Sequence, residues 1–221
     1  VRVWDLQSRT SVDLKNAETP NSARSPTSAD PRTSRIHKSW AAIAPDGTAI
    51  LTGAGKNSAL WWNPRDPSER PAHREGTGAL FSRDGSVVAT LHDQSVKVWS
   101  TKPRFLRSSV PVGADQAYLT PLALSDAGNL LAVGSNPLTE TDNAIRLWDT
   151  QNGKLLGICK GHTQGVRWLA ISPDGETLAS VSDDSTLRFW NVRTQQELLA
   201  IRRLADPFRE ILFSPDGNWL R

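Results

Sequence analysis

Methionine is absent from this sequence of 221 residues, and cysteine occurs once, as Cys159. A single cysteine excludes an internal disulfide bond and a cluster of thiolate metal ligands. Because methionine is missing even at position 1, we expect that Val1 is not the natural start and that the chain is a fragment. No apolar run approaches the roughly 20 residues that a membrane helix needs. The start also lacks a basic and then apolar export signal, so we expect a soluble, cytoplasmic protein without a membrane partner.

The net charge is also small: the chain has 26 Lys and Arg residues and 23 Asp and Glu residues, which gives +3. This excess is too small to indicate nucleic acid or an acidic membrane as partner. The hydrophobic content of 38% is enough to bury the core of an ordinary domain.

A short turn motif recurs along the chain: APDG at 44, SRDG at 82, SDAG at 125, and SPDG at 172 and 214. The successive spacings are 38, 43, 47 and 42 residues. Apolar or alternating runs flank each motif, which predicts two strands joined by a tight turn. Glycine suits this turn because it adopts positive φ without a steric penalty.

A third run ending in tryptophan follows each pair of strands: VRVWD at 1, ALWWN at 59, VKVWS at 96, IRLWD at 145 and LRFWN at 187. A fourth apolar run, such as KLLGIC or ELLAIR, completes the unit. Four short strands in about 40 residues indicate a propeller blade, which needs neighbours to bury both faces of its sheet.

With its Gly-His, Ser-Pro-Asp-Gly and Trp-Asp elements, the sequence resembles the WD-repeat β-propeller family. The resemblance is strongest over 161–191, and the dense Ser-Pro-Asp-Gly usage is similar to bacterial members. It implies an all-β fold of four-stranded antiparallel blades in a single domain over 1–221. Its repeat tryptophans are Trp4, Trp62, Trp99, Trp148 and Trp190.

We expect four complete units and two half-blades at the termini. The units are 36–72, 73–112, 113–158 and 159–204, and the half-blades are 1–15 and 205–221. Segment 16–35 is rich in Ser, Thr, Pro and Asn and is predicted to be a disordered insertion. The half-blades could close a ring of five blades, or the chain could be part of a larger propeller. We favour the larger propeller because the chain ends inside an apparent strand.

The family resemblance assigns His162, Ser180, Asp184 and Trp190 to a hydrogen-bonded tetrad that links the strands of one blade. The set is similar to a Ser-His-Asp catalytic triad, but we favour the structural role because a satisfied buried network rigidifies a sheet. The four histidines are spread over different repeats, which disfavours a metal site. No phosphate loop, nucleophile elbow or kinase signature is present, so we expect no catalytic residues, metal or cofactor.

Basic residues recur two positions before the repeat tryptophan, as Arg2, Lys97, Arg146 and Arg188. We expect one solvated position per blade rather than a nucleic-acid stripe, because each residue lies in a different unit. Nucleic-acid binding through the basic segment 24–38 stays an alternative, as does an enzyme with a site in the central channel.

In the family, partners bind most often on the face that bears the fourth-to-first and second-to-third strand connections. The resemblance places six candidate partner-binding residues there: Arg167, Arg209, Asp183, His92, Thr120 and Thr141. We therefore predict a non-catalytic scaffold or sensor that binds a peptide or protein loop. An effector domain outside this fragment could be attached to it.

Overall fold

The computed structural model describes ten segments of the chain. They are residues 2–5, 10–13, 41–53, 58–66, 72–76, 78–92, 94–112, 121–135, 142–202 and 211–221. The predicted disordered insertion 16–35 and the basic segment 24–38 lie outside these residues. Every described element of secondary structure is a strand, and the described segments contain no helix, which confirms the all-β prediction.

The strands form one two-stranded sheet and four four-stranded sheets. The two-stranded sheet is β1 (Arg2–Asp5) and β2 (Thr10–Asp13). The first sheet is β3 (Ala41–Ile43), β4 (Ile50–Gly53), β5 (Ser58–Trp62) and β6 (Ala72–Glu75). The second is β7 (Ala79–Phe81), β8 (Val87–His92), β9 (Ser95–Thr101) and β10 (Arg104–Pro111). The third is β11 (Leu122–Leu124), β12 (Leu130–Gly134), β13 (Ile145–Asp149) and β14 (Leu155–Cys159). The fourth is β15 (Val166–Ile171), β16 (Thr177–Ser182), β17 (Thr186–Asn191) and β18 (Glu197–Arg202).

Each four-stranded sheet is an antiparallel meander whose strands pair in chain order. This is the four-strand unit that the repeat predicts. Strand β6 runs to Glu75, past the predicted unit end at 72, because the sequence Ala-His-Arg-Glu carries little apolar signal. Strand β14 likewise ends at Cys159, one residue beyond 158.

The turn motif folds as the sequence predicts at its glycine. In the fourth sheet Gly175 has φ of 75°, and its N–H donates to the Ser172 carbonyl at 2.8 Å. The Ser172 hydroxyl donates to Asp174 Oδ1 at 2.5 Å, and the N–H of Thr177 donates back to Ser172 Oγ at 2.9 Å. The serine and aspartate therefore brace the turn from inside, which explains why these residue types recur with the glycine.

Neighbouring sheets stack face to face through apolar side chains. First strands contact one another in chain order, β3 with β7, β7 with β11 and β11 with β15. Between the second and third sheets, Val87 and Val98 pack in one cluster with Leu131 and Trp148. Between the third and fourth sheets, Leu147 packs in a cluster with Leu178 and Trp190. The later sheet thus brings its repeat tryptophan onto the face of the earlier one, which is the burial that a lone blade lacks.

The repeat tryptophans are buried to different degrees. Trp62, Trp148 and Trp190 are buried, and Trp99 is partly buried in the cluster between the first and second sheets. Trp4 belongs to β1. Residues 211–221 pack on the fourth sheet through Ile211 and Leu220 and form an isolated bridge between Phe213 and Leu220.

Candidate functional site

The four predicted tetrad residues come together in the fourth sheet. His162 lies in the connection from β14 to β15, Ser180 in β16, Asp184 between β16 and β17, and Trp190 in β17. The Trp190 Nε1–H donates to Ser180 Oγ at 2.8 Å, and the Ser180 hydroxyl donates to His162 Nε2 at 2.7 Å. His162 Nδ1–H then donates to Asp184 Oδ2 at 2.9 Å. One chain of hydrogen bonds therefore joins two strands and two connections.

Asp184 receives more donors than the tetrad alone supplies. Its carboxylate also accepts from the backbone N–H of Thr163 at 3.0 Å, and from the hydroxyl and N–H of Thr186 at 2.6 and 3.0 Å. Burial raises the pKa of Asp184, but the hydrogen bonds from Thr186, Thr163 and His162 outweigh it and hold the pKa at about 2. Burial in turn lowers the pKa of His162, against the opposite effect of Asp184. The network therefore contains a neutral imidazole and an ionised carboxylate at neutral pH.

This arrangement has the connectivity of a catalytic triad but not its accessibility. Ser180 is 0% exposed, and its hydroxyl proton is directed to His162 while its oxygen accepts from Trp190. A nucleophile must reach its substrate, and this hydroxyl has no surface on which a substrate could lie. The geometry supports a structural role for the four residues.

The tryptophan hydrogen bond recurs in the first and second sheets with threonine in place of serine. Trp62 Nε1–H donates to Thr52 Oγ1, and Trp99 Nε1–H donates to Thr90 Oγ1, both at 2.9 Å. The third sheet breaks this pattern. There the buried Trp148 Nε1–H has no hydrogen-bond acceptor among the described residues.

Strand register identifies the residue that causes the missing bond. Trp148 pairs with Leu131 as Trp99 pairs with Val88, and the acceptor Thr90 stands two residues after Val88. Two residues after Leu131 stands Val133, which is 5% exposed. Valine has nearly the shape of threonine but no hydroxyl, so the indole N–H is left unpaired.

Val133→Thr is therefore expected to raise the free energy of unfolding by about 1 kcal/mol, since it supplies an acceptor for a buried N–H. The new hydroxyl can donate to the Arg146 carbonyl, the register equivalent of the Lys97 carbonyl that accepts from Thr90. Urea unfolding measures the change. Thr90→Val is the reciprocal variant and should destabilise by about 1–2 kcal/mol. Equal destabilisation by both changes would contradict this account.

The predicted partner-binding residues Arg167 and Asp183 lie together at one end of the fourth sheet. Arg167 Nε donates to Asp183 Oδ1 at 2.7 Å, with 57% and 34% of the two side chains exposed. The β14–β15 and β16–β17 connections meet there, because the Asp183 N–H donates to the Gly165 carbonyl at 3.0 Å. The hydrogen bond from Arg167 to Asp183 raises the pKa of the arginine, so the guanidinium stays charged.

A β-bulge explains why Arg167 is exposed. The pairing of β15 with β16 shifts between Val166 and Trp168, whereas the first strands of the other three sheets pair without a shift. The extra residue turns both Arg167 and Trp168 away from the sheet core. Trp168 lies in the first strand of its sheet, yet its side chain is 40% exposed.

Trp168 lines a cavity of about 650 Å³ beside the first strands. The walls come from β7, β11, β15 and residues 211–221, and they are mainly apolar, with Leu80, Leu122 and Leu212 among them. The Arg83–Asp126 ion pair, at 3.3 Å, also lines the cavity. The sequence pattern does not reveal this cavity, because the exposure of Trp168 depends on a one-residue shift in strand pairing and not on a residue type.

Of the other predicted partner-binding residues, the structure describes only His92. His92 ends β8, at the corresponding second-to-third connection of the second sheet. Thr120, Thr141 and Arg209 lie outside the described residues.

Two of the recurring basic residues have acidic partners within their own repeat units. Arg146 bonds Asp142 at 2.5 Å, and Arg188 bonds Glu197 at 2.6 Å and is only 12% exposed. This differs from the expected solvated position and also from a stripe open to phosphates. The described segments hold no group of three or more metal-ligating side chains, and they contain no helix long and apolar enough to cross a membrane.

Stacked four-stranded antiparallel sheets with a tryptophan-centred network define an all-β repeat protein built from propeller-type blades. Residues 153–191 match the WD40 family model, described as "WD domain, G-beta repeat". The match spans β14 to β17 and includes the whole tetrad. Residues 153–191 are therefore similar to one WD repeat, and the chain also has WD-repeat relatives. The number of blades in the complete protein stays a prediction.

The chain is similar to several curated proteins. The nuclear distribution protein PAC1 of Arthroderma benhamiae is 36% identical over 118 residues, covering 50% of this chain and 24% of the relative. The WD repeat-containing protein srw1 of Schizosaccharomyces pombe is 27% identical over 68% of this chain and 23% of the relative. Arabidopsis thaliana "Cell division cycle 20.5, cofactor of APC complex" is 28% identical over 75% of this chain and 40% of the relative. The chain thus spans about a quarter of the first relatives. All three are eukaryotic, so they lend no support to a bacterial origin.

Proposed function

We propose that this chain is a non-catalytic scaffold or sensor that binds a peptide or protein loop on the face bearing Arg167 and Asp183. The β15 bulge is the observation that carries the proposal, because it exposes the charged Arg167 next in sequence to Trp168, which lines the cavity. Arginine and tryptophan are enriched among the residues that dominate binding energy at protein interfaces. Bulges are over-represented at sheet edges and next to active sites, where they change the direction of a side chain.

One relative supports a role in association, because its name describes a cofactor of a complex. The burial of Ser180 removes the most triad-like group from contact with a substrate. The proposal also includes His92, Thr120, Thr141 and Arg209, which the family resemblance assigns to the same face. The attached effector domain and the cytoplasmic location stay predictions from sequence.

The Arg167–Asp183 ion pair indicates which chemical groups a partner needs in order to bind here. Arg167 uses Nε to hold Asp183, an arrangement that presents the outer edge of the guanidinium to solvent. A carboxylate on the partner can accept two hydrogen bonds from that edge. An adjacent apolar side chain can then cover Trp168 and enter the apolar cavity.

The proposal is tested with a phage-displayed library of random peptides selected on the immobilised chain. Peptides enriched on the wild type should lose at least about tenfold in affinity on Arg167→Glu, because removing a central arginine anchor costs more than about 1.4 kcal/mol. Arg193→Glu, an equal charge change in the exposed turn between β17 and β18, is the matched control and should leave binding unchanged. Adding Arg209→Glu to Arg167→Glu tests the wider face. Selected peptides that bind both single variants equally would show that the face is wrong.

A further inference from the structure

The sequence contains one Asn-Gly dipeptide, Asn152–Gly153, in the turn between β13 and β14. In such a dipeptide the backbone nitrogen of the glycine can attack the side-chain Cγ of the asparagine. The new N–Cγ bond closes a succinimide ring, and the amide NH₂ leaves as ammonia with the proton of the glycine N–H. Water then opens the ring to aspartate or isoaspartate. Glycine hinders the attack least because it has no Cβ, and Asn152 is exposed to water.

The native turn holds each group that takes part in this reaction. The attacking nitrogen is occupied, because the Gly153 N–H donates to the Asp149 carbonyl at 2.9 Å. The leaving group is also held, since Asn152 Nδ2–H donates to Asp149 Oδ2 at 2.9 Å. The Lys154 N–H donates to Asn152 Oδ1 at 2.8 Å and fixes the other end of the amide. Ring closure therefore requires both hydrogen bonds to Asp149 to break.

Asp149 is itself fixed in this turn. It is the last residue of β13, and its N–H donates to the Lys154 carbonyl at 2.9 Å. Its carboxylate also accepts at Oδ1 from the Gln151 N–H at 2.7 Å. A hydrogen bond to a carboxylate is stronger than one between neutral groups. Asp149 thus restrains the nucleophile through its main chain and the leaving group through its side chain.

The equivalent turn of the fourth sheet has the same shape without the reactive dipeptide. There the Gln195 N–H donates to the Asn191 carbonyl at 2.8 Å, and Gln195 has φ of 58°, close to the 70° of Gly153. The Thr194 hydroxyl donates to Asn191 Oδ1 at 3.1 Å. Threonine therefore fills the place of Asn152, and the turn does not depend on an Asn-Gly sequence.

Deamidation would change a turn that packs against the second sheet. The Ser108 hydroxyl of β10 donates to the Thr150 carbonyl at 2.8 Å, and a Cβ on Gly153 would lie 3.3 Å from Ser108 Cβ. An aspartate would place a second carboxylate where the amide now donates to Asp149. An isoaspartate would also lengthen the main chain by a methylene group inside the turn. Either product weakens the contact between the second and third sheets.

We propose that Asn152 is a latent deamidation site that Asp149 protects in the folded chain. Opening of the β13–β14 turn releases the amide and the Gly153 nitrogen together, and the reaction then follows. Loss of ammonia makes the change permanent, so it leaves a negative charge that weakens the contact with β10. This inference is independent of the proposed peptide-binding face.

Mass spectrometry of the tryptic peptide 147–154 measures the reaction, and fragmentation of the peptide assigns it to Asn152. The full chain is incubated at one mildly alkaline pH. Folded Asp149→Ala should deamidate at least about tenfold faster than the wild type, which is the rate equivalent of one lost hydrogen bond to a charged group. Asp142→Ala is the matched control, because that aspartate lies in the same repeat unit and bonds Arg146. It should leave the rate unchanged.

Circular dichroism verifies that each variant is folded. If Asp149→Ala does not fold, Asp149→Asn replaces it, because Asn191 forms the same turn in the fourth sheet. Its acceleration should be smaller, since a neutral acceptor holds the amide less strongly than a carboxylate does.

Rates in guanidinium chloride separate protection by structure from an effect of sequence. The unfolded wild type should react faster than the folded wild type. Unfolded wild type and unfolded Asp149→Ala should react at equal rates, because the turn is absent from both. A folded wild type that reacts as fast as the unfolded chain would overturn the inference. So would a folded Asp149→Ala chain that is no faster than the wild type, or an equal acceleration in Asp142→Ala.

Urea unfolding measures the consequence for the contact between the sheets. Wild-type chain that has been deamidated while unfolded and then refolded should have a lower urea midpoint than fresh chain. The Asn152→Thr chain, treated in the same way, should keep its midpoint because it lacks the reactive amide. An unchanged midpoint in the wild type, or an equal fall in both chains, would contradict the weakened contact.

Discussion

Replacing Ser180 with alanine is expected to lower the free energy of unfolding by about 2–4 kcal/mol, because two buried groups lose their partner at once. The Trp190 indole N–H loses its acceptor and His162 Nε2 loses its donor. Each unsatisfied buried group costs about 1–3 kcal/mol. The site is 0% exposed, so water does not reach it without opening the sheet.

Urea unfolding of matched variants separates this effect from the loss of a hydroxyl in general. Ser135→Ala is the control, because Ser135 is 1% exposed and its hydroxyl has no hydrogen-bond partner among the described residues. That change should alter stability by less than about 1 kcal/mol. Ser180→Thr keeps a hydroxyl of the kind that serves Trp62 and Trp99, so it should recover part of the loss. If Ser180→Ala and Ser135→Ala were equally mild, the network would not stabilise the fold.

Acid is expected to remove about 2 kcal/mol of stability through Asp184, whose pKa falls from 3.8 to about 2 on folding. A carboxyl group with a depressed folded pKa stabilises the native state above its unfolded pKa. The contribution is thus complete above about pH 5 and is lost as the pH falls through 3.8 towards about 2. His162 acts in the same direction, because its folded pKa lies below 6.5 and the unfolded chain takes up the proton first.

The free energy of unfolding is measured as a function of pH in the wild type and in two variants. These measurements assign each pH range of stability loss to Asp184 or His162. The stability difference between wild type and Asp184→Asn should narrow by about 2 kcal/mol between about pH 5 and about pH 2. His162→Gln should flatten the decline that begins as the pH falls below 6.5. A difference between wild type and Asp184→Asn that stays constant down to about pH 2 would rule out the depressed pKa.

Much of the fold could be predicted because its information is local and repeated. The geometry of the turn motif can be predicted from its own residues, since the glycine at positive φ and the serine–aspartate hydrogen bond lie within a few residues of each other. Alternating apolar runs then place strands on both sides of each turn. The end of strand β6 could not be predicted exactly, because Ala-His-Arg-Glu forms a strand through its pairing with β5 and not through its own composition.

The candidate site was only partly predictable. His162, Ser180, Asp184 and Trp190 meet as the family resemblance implies, and Arg167 lies beside Asp183. The exposure of Trp168 was missed because a β-bulge depends on how two strands align, and either alignment is compatible with the same apolar pattern. The unpaired Trp148 N–H also could not be predicted from the sequence. Val133 is an ordinary strand residue, and its position beside Trp148 is known only from the strand register.

The sequence by itself determined the unit: four short strands, a glycine turn, a tryptophan on the third strand and polar residues able to link them. Those features follow from backbone sterics and hydrophobic periodicity, which act over a few residues. Only the tertiary structure decided which tryptophan lacks an acceptor and which first strand bulges. These properties depend on pairing register, which is set by residues distant in the chain.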